Sequence, residues 1–132
     1  MASLNLQERL AKLPPINVLN KRCPSNEVLD MIADKWSVLV IYALRKEVRR
    51  YSDLERMIDG ISQKMLTQTL RKLQRNGLLT RTVYPVVPPH VEYQLTELGL
   101  GLHKVLSPLC KWSQKHMPDV LEARESYDIQ NE

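Results

Sequence analysis

Between residues 52 and 75 the chain spells out a helix of two turns, a glycine-containing turn and a longer helix, an arrangement that few folds accommodate. Ser52-Asp53-Leu54-Glu55 reads as a capping box, in which the serine hydroxyl takes one orphan amide and the glutamate reaches back to another. Asp59-Gly60 closes that short helix, because glycine adopts the left-handed cap without steric cost. Ser62 then caps a second helix running to Arg75, where Asn76-Gly77 stops it. The pattern is a helix-turn-helix.

The second of these helices separates its faces sharply. At 100° per residue with Leu66 at zero, Leu70 and Leu73 fall within about 40° of it and form one apolar seam. Arg71, Lys64, Arg75 and Gln68 lie opposite, between about 140° and 200°, with Thr67 beside them at about 100°. That face carries no carboxylate, whereas a merely solvated face usually mixes signs. The major groove admits one helix, and Arg, Lys, Gln and Thr match its base-edge groups. Early residues of such a helix meet bases and later ones meet phosphates. Gln63, Lys64, Thr67 and Gln68 are therefore expected to read bases, and Arg71 and Arg75 to serve backbone or mixed roles. Arg45, Lys46, Arg49 and Arg50, just ahead of the short helix, are expected to fix register on phosphates.

The flanking segments complete one domain. Residues 78–84 and 91–95 alternate with period two, and Pro85-Val86-Val87-Pro88-Pro89-His90 between them excludes helix or inner strand. The expectation is a β-hairpin wing, with Arg81 and His90 as further DNA contacts. Upstream, Ser25 is placed to cap a helix through Ala33, and Asp34 to cap a largely apolar helix from Lys35 to Lys46. Thr96 caps a long helix with apolar residues at Leu98, Leu102, Val105, Leu106, Leu109 and Trp112, in which Pro108 introduces a kink. Leu6, Leu10 and Leu13 mark a short N-terminal helix ended by Pro14-Pro15, too short to stand alone. Its leucines are expected to pack on a second copy beside the Leu102, Val105, Leu109 and Trp112 seam. The division is an N-terminal arm over 1–22, a mainly α winged helix-turn-helix with a small β-hairpin over 23–117, and an acidic tail over 118–132.

Charge agrees with a polyanionic partner. The net charge is +4, yet residues 119–132 hold five acids against Arg124, so the remainder carries +8. Residues 35–90 alone hold eleven bases against four acids. Two cysteines, Cys23 and Cys110, are too few for a secreted disulfide framework, and no apolar stretch is long enough for a membrane span. The expected setting is the cytoplasm, at the nucleoid. The three histidines and two cysteines are scattered without nucleophile-base or metal spacing, so neither an enzyme nor a metal or cofactor site is expected.

Longer stretches are similar to a known family. Cys23-Pro24, Lys35-Trp36, Arg50-Tyr51-Ser52-Asp53-Leu54, Gly60-Ile61-Ser62-Gln63-Lys64-Met65-Leu66-Thr67 and Leu70-Arg71-Lys72-Leu73 occur in order. Asn76-Gly77-Leu78-Leu79, Tyr84-Pro85 and the run from Val87 to Gly99 follow. They resemble the HxlR-type winged helix-turn-helix regulators, a branch related to the MarR group. The resemblance implies bacterial transcription regulators that act as homodimers through their terminal helices; two recognition helices related by a two-fold are then expected to meet a palindromic operator. The family usually has a base where this chain has His90 and an acid where it has Val86, which leaves the wing tip apolar.

Some members sense oxidants or electrophiles through a cysteine near the domain start, which Cys23 matches. Lys21, Arg22 and the positive end of the following helix favour its thiolate, and Pro24 is expected to hold it within reach of a reagent. Cys110, at the edge of the apolar seam, is expected to be an inert buried thiol. In a dimer with exchanged terminal helices it nevertheless approaches Cys23 of the partner subunit. The alternatives are a regulator answering a non-covalent small ligand, with Trp36 and Trp112 as pocket walls rather than core, and a winged helix serving protein contacts without DNA.

Overall fold

The computed structural model describes residues 3–13 and 17–132. Among these described residues, six helices and three short strands follow one another as α1 (Leu6–Ala11), α2 (Pro24–Met31), α3 (Lys35–Ala43), β1 (Arg49–Arg50), α4 (Tyr51–Met57), α5 (Gln63–Arg75), β2 (Leu79–Tyr84), β3 (His90–Leu95) and α6 (Glu97–Gln130). This is the mainly helical, winged architecture that the pattern predicts. The expected caps at Asp34, Ser62 and Thr96 each accept a backbone N–H two or three residues on. Gly60 and Gly77 stand at φ +81° and +74°, the left-handed conformation that ends α4 and α5.

The core is made where α3, α4 and α5 meet the sheet. Val40, Ile41, Leu54, Leu66, Leu70, Leu73, Leu79, Tyr93 and Leu95 are buried in one cluster, and Trp36, Leu102 and Leu106 pack on its edge. The three leucines of the α5 seam therefore face inward as their spacing predicts. Ser37 is buried too, its hydroxyl and backbone N–H both donating to the Asp34 carboxylate, so no polar group is left orphaned there.

Several boundaries differ from the sequence expectation. β1 has no signal in its two residues alone; it exists because Arg49 and Arg50 pair with Tyr93 and Glu92, giving sheet order β1-β3-β2. With Arg50 held in that strand, α4 starts at Tyr51 and is capped by Arg50, not Ser52; the Asp53 carboxylate, not Glu55, accepts the Arg50 N–H at 3.0 Å. α2 likewise starts earlier, with Cys23 rather than Ser25 at the cap and Pro24 at the first helical position, where a fixed φ helps and no amide is lost. α3 ends at Ala43 rather than Lys46, and β3 begins at His90, one residue before the expected start.

The terminal helices leave the core. α1 ends at Ala11, before Pro14-Pro15, which lie outside the described residues. None of its residues is buried. α6 runs for 34 residues, about 51 Å at the usual rise, across Pro108 and Pro118 and through the acidic segment to Gln130. Among the described residues no helix is long and apolar enough to cross a membrane.

Candidate nucleic-acid interface

Packing Leu66, Leu70 and Leu73 inward turns the opposite face of α5 outward. Gln63, Lys64, Gln68, Arg71 and Arg75 are exposed there and Thr67 is half-buried. α5 contains no acid, and its first turn sits at the positive end of the helix dipole. Lys72 points elsewhere: its ammonium pairs with Asp34 at 2.5 Å, bracing α5 on the start of α3. Burial pushes the Asp34 carboxyl up, but the Lys72 ammonium and the Ser37 N–H outweigh it and hold the group below its ordinary value.

Tyr51, whose local sequence assigns it no role of its own, holds the face from behind. Its hydroxyl donates to the Gln63 carbonyl at 3.0 Å and lies 3.1 Å from the Thr67 hydroxyl. Its spacing from Thr67 gives no local signal, since the contact joins two helices.

The sheet adds a second group of cations. Arg49, Tyr93 and Arg81 are directly opposite one another across β1, β3 and β2, so their side chains share one face. Arg81 and Tyr93 close a cleft of about 360 Å³ against Thr67, Leu70, Arg71 and Gln74 of α5. Two arginines from different elements thus flank one opening. Arg50 is exposed, whereas Arg49 is half-buried and already paired with Glu47 at 2.8 Å. The Arg45 guanidinium lies over the Tyr42 ring, 3.7 Å from its centre, and donates to the Tyr42 carbonyl. Of the four cations ahead of α4, Lys46 and Arg50 stand exposed, with no ion pair or ring contact among the described residues.

At the wing, Nε2 of His90 lies 2.7 Å from the Glu92 carboxylate, and its ring meets Tyr84 edge-on at 5.1 Å. The His90 hydrogen bond, against an opposing effect of burial, holds the Glu92 carboxyl below its ordinary value. His90 is therefore engaged within the hairpin. Val87, 99% exposed, makes the wing tip apolar.

The structure corrects what was expected of both cysteines. Cys23 is buried, at 1% exposure, rather than presented to a reagent; it stands at the cap of α2, with its N–H donating to the Asn20 carbonyl. Burial pushes its thiol pKa up, but hydrogen bonds from the backbone of Ser25, Asn17 and Asn26 and from the Ser25 side chain outweigh that and hold it below the ordinary value. Cys110 is exposed on α6 instead of buried. Trp36 is a core-edge residue as expected, with the Lys35 ammonium over its ring. Trp112 is 53% exposed and stacks near His116, so it belongs neither to the core nor to a pocket shared with Trp36. Val105, Leu109, Leu6, Leu10 and Leu13 are also exposed, while Leu102 packs on the core of its own domain.

Comparison with known proteins agrees with this architecture. The family model of the HxlR-like helix-turn-helix matches residues 31–120. The uncharacterised HTH-type transcriptional regulator YtfH of Escherichia coli K12 is 42% identical over 125 residues, spanning 95% of this chain and 97% of the relative. A solved structure of YtfH from Salmonella typhimurium superposes with a TM-score of 0.75 at 46% identity, covering 83% of this chain and 97% of that one. The redox regulator HypR in its reduced form gives a TM-score of 0.70 at 37% identity, covering 76% and 98%. This chain belongs to the HxlR-like helix-turn-helix family of transcriptional regulators.

Proposed function

We propose that the chain binds double-stranded DNA sequence-specifically, as a homodimer, on a palindromic operator. The observation that carries this reading is the exposed, carboxylate-free face of α5, flanked by Arg81 on β2 and Arg50 at β1. In it Gln63, Lys64, Thr67 and Gln68 read base edges, while Arg71, Arg75, Arg50 and Arg81 hold phosphates. Arg49 and His90 serve indirectly or after rearrangement, since each already has an acidic partner.

Dimerisation is supported by apolar surface with nothing to cover it in one copy. Leu6, Leu10 and Leu13 on one side, and Val105, Leu109 and Trp112 on the other, are more apolar exposure than a monomer carries without consequence. A dimer joined through these surfaces would offer two copies of α5 to two half-sites. Selection of binding sites from a random duplex pool tests the reading. Inverted half-sites with centres about one helical turn apart are the expected result. Enrichment of a single unrepeated site would overturn the dimer on DNA.

A second layer is favoured by the state of Cys23. A thiol held below its ordinary pKa is a thiolate more often, and HypR, a redox regulator of the same fold, makes a thiol switch a natural reading. Because Cys23 is buried, a local opening must precede the arrival of a reagent. Diamide takes two electrons from two thiols, which then join as a disulfide, and exposed Cys110 is available as the second. Operator affinity should change at least severalfold on diamide treatment of the wild type and remain constant in Cys23→Ser. Equal affinity in all four samples would leave regulation to a non-covalent ligand.

A further inference from the structure

We infer that Tyr51 sets the hydrogen-bonding polarity of Thr67, so that this side chain can only accept from a base edge. The inference rests on the DNA-binding reading above and specifies what one residue of that face recognises.

A carbonyl oxygen cannot donate, so the 3.0 Å contact between Tyr51 and the Gln63 carbonyl consumes the single proton of the Tyr51 hydroxyl. The Tyr51 oxygen then has only lone pairs for the Thr67 hydroxyl, 3.1 Å away. Thr67 must therefore be the donor in that contact. Its own single proton is turned inward, and what remains for a partner in front of α5 is an oxygen with lone pairs beside a methyl group. A free threonine hydroxyl rotates to suit either a donor or an acceptor and discriminates poorly. A threonine committed in this way accepts only.

In the major groove the donors are the exocyclic amino groups, N6 of adenine and N4 of cytosine; guanine and thymine offer acceptors at O6, N7 and O4. Thr67 is therefore matched to adenine or cytosine at one position of one strand. Guanine or thymine there opposes lone pair to lone pair. Tyr51 acts as a positioning residue: its hydroxyl touches the reader, not the base. Its ring is anchored at the first residue of α4, where Arg50 leaves β1, so both helices of the motif and the sheet share in orienting one hydroxyl.

The test uses the site selected from the random pool, with every base at each half-site position in turn, against wild type, Tyr51→Phe, Thr67→Ser and Thr67→Val. The expected result is one position at which wild type prefers A or C over G or T by about three- to tenfold, the worth of a single hydrogen bond. Tyr51→Phe frees the Thr67 proton and relaxes that preference while other positions keep theirs; Thr67→Ser retains it, and Thr67→Val abolishes it. Three results would overturn the inference: an unchanged base profile in Tyr51→Phe, a uniform loss at every position, or a Thr67-dependent preference for G or T. A wild type that selects no site at all would instead remove the DNA-binding reading itself.

Discussion

Affinity for operator DNA is expected to fall by about a thousandfold or more as salt rises from 50 to 200 mM. Each phosphate neutralised by a cation releases condensed counterions, and the gain vanishes as bulk salt approaches the local concentration. Apart from the base reader Lys64, one subunit presents Arg71 and Arg75 on α5, Arg81 on the wing and Lys46 and Arg50 near β1, all exposed. Two subunits with three of these five engaged in each reach six phosphate contacts, which sets the scale above. Lys72 and Arg49 are not in the count because Asp34 and Glu47 already neutralise them. Fluorescence anisotropy of a labelled operator across the salt series measures the slope. Arg75→Ala should flatten it by roughly one unit for each subunit engaged and weaken random DNA equally, whereas Gln68→Ala should relax sequence preference instead. A response to salt that is flat in the wild type is incompatible with the proposed interface.

Gly99→Ala is expected to be among the most damaging single-methyl changes available to this fold. A Cβ at residue 99 would stand 2.0 Å from the Leu78 carbonyl oxygen and 3.1 Å from a Leu95 methyl. The carbonyl is backbone and cannot rotate away. It also accepts the Thr96 N–H at 3.1 Å, while the Thr96 hydroxyl donates to the Gly77 carbonyl at 2.6 Å and accepts the Gly99 N–H. The root of α6 is thus clamped to the start of β2, and an added methyl must break the clamp or tilt the helix. A cost of about 3 kcal/mol or more is expected, with a drop in Tm of more than about 10 °C. Because α6 carries the exposed Val105, Leu109 and Trp112, a tilt should weaken self-association as well. Gly101→Ala is the matched control: nothing lies within 4 Å of its Cβ, and alanine is the better helix former by about 1 kcal/mol. Equal melting of the two variants would show that α6 is not seated as described.

The comparison between the two glycines illustrates how unevenly the chain discloses itself. Both lie in the first turns of one helix, two residues apart, and nothing local distinguishes them. Only the neighbour supplied by the sheet does. The same holds for the cations. Lys72 and Arg71 are adjacent in α5, yet one is spent on Asp34, 38 residues earlier in the chain, and the other faces the cleft beside Arg81. The capping boxes show the limit at short range. Asn5 and Glu8 form one as a pair, whereas Ser52 and Glu55, equally well spaced, do not, because strand pairing of Arg50 moved the start of α4.

What the sequence by itself determined is whatever acts within about one helical turn or one hairpin. The Ser62 cap, the left-handed glycines at 60 and 77, the leucine seam with its basic opposite face, and the alternation of the wing all belong here, since caps, periods and turn residues are short-range physics. From them the helix-turn-helix and its presenting face follow. The tertiary structure alone decided the third strand, the burial of Cys23 and exposure of Cys110, the capture of Lys72 by Asp34, and the link from Tyr51 to Thr67. Most of these depend on which distant segments packing brings within a few ångströms. A side chain's charge and size are written in the sequence, but its partner is chosen only when the core closes.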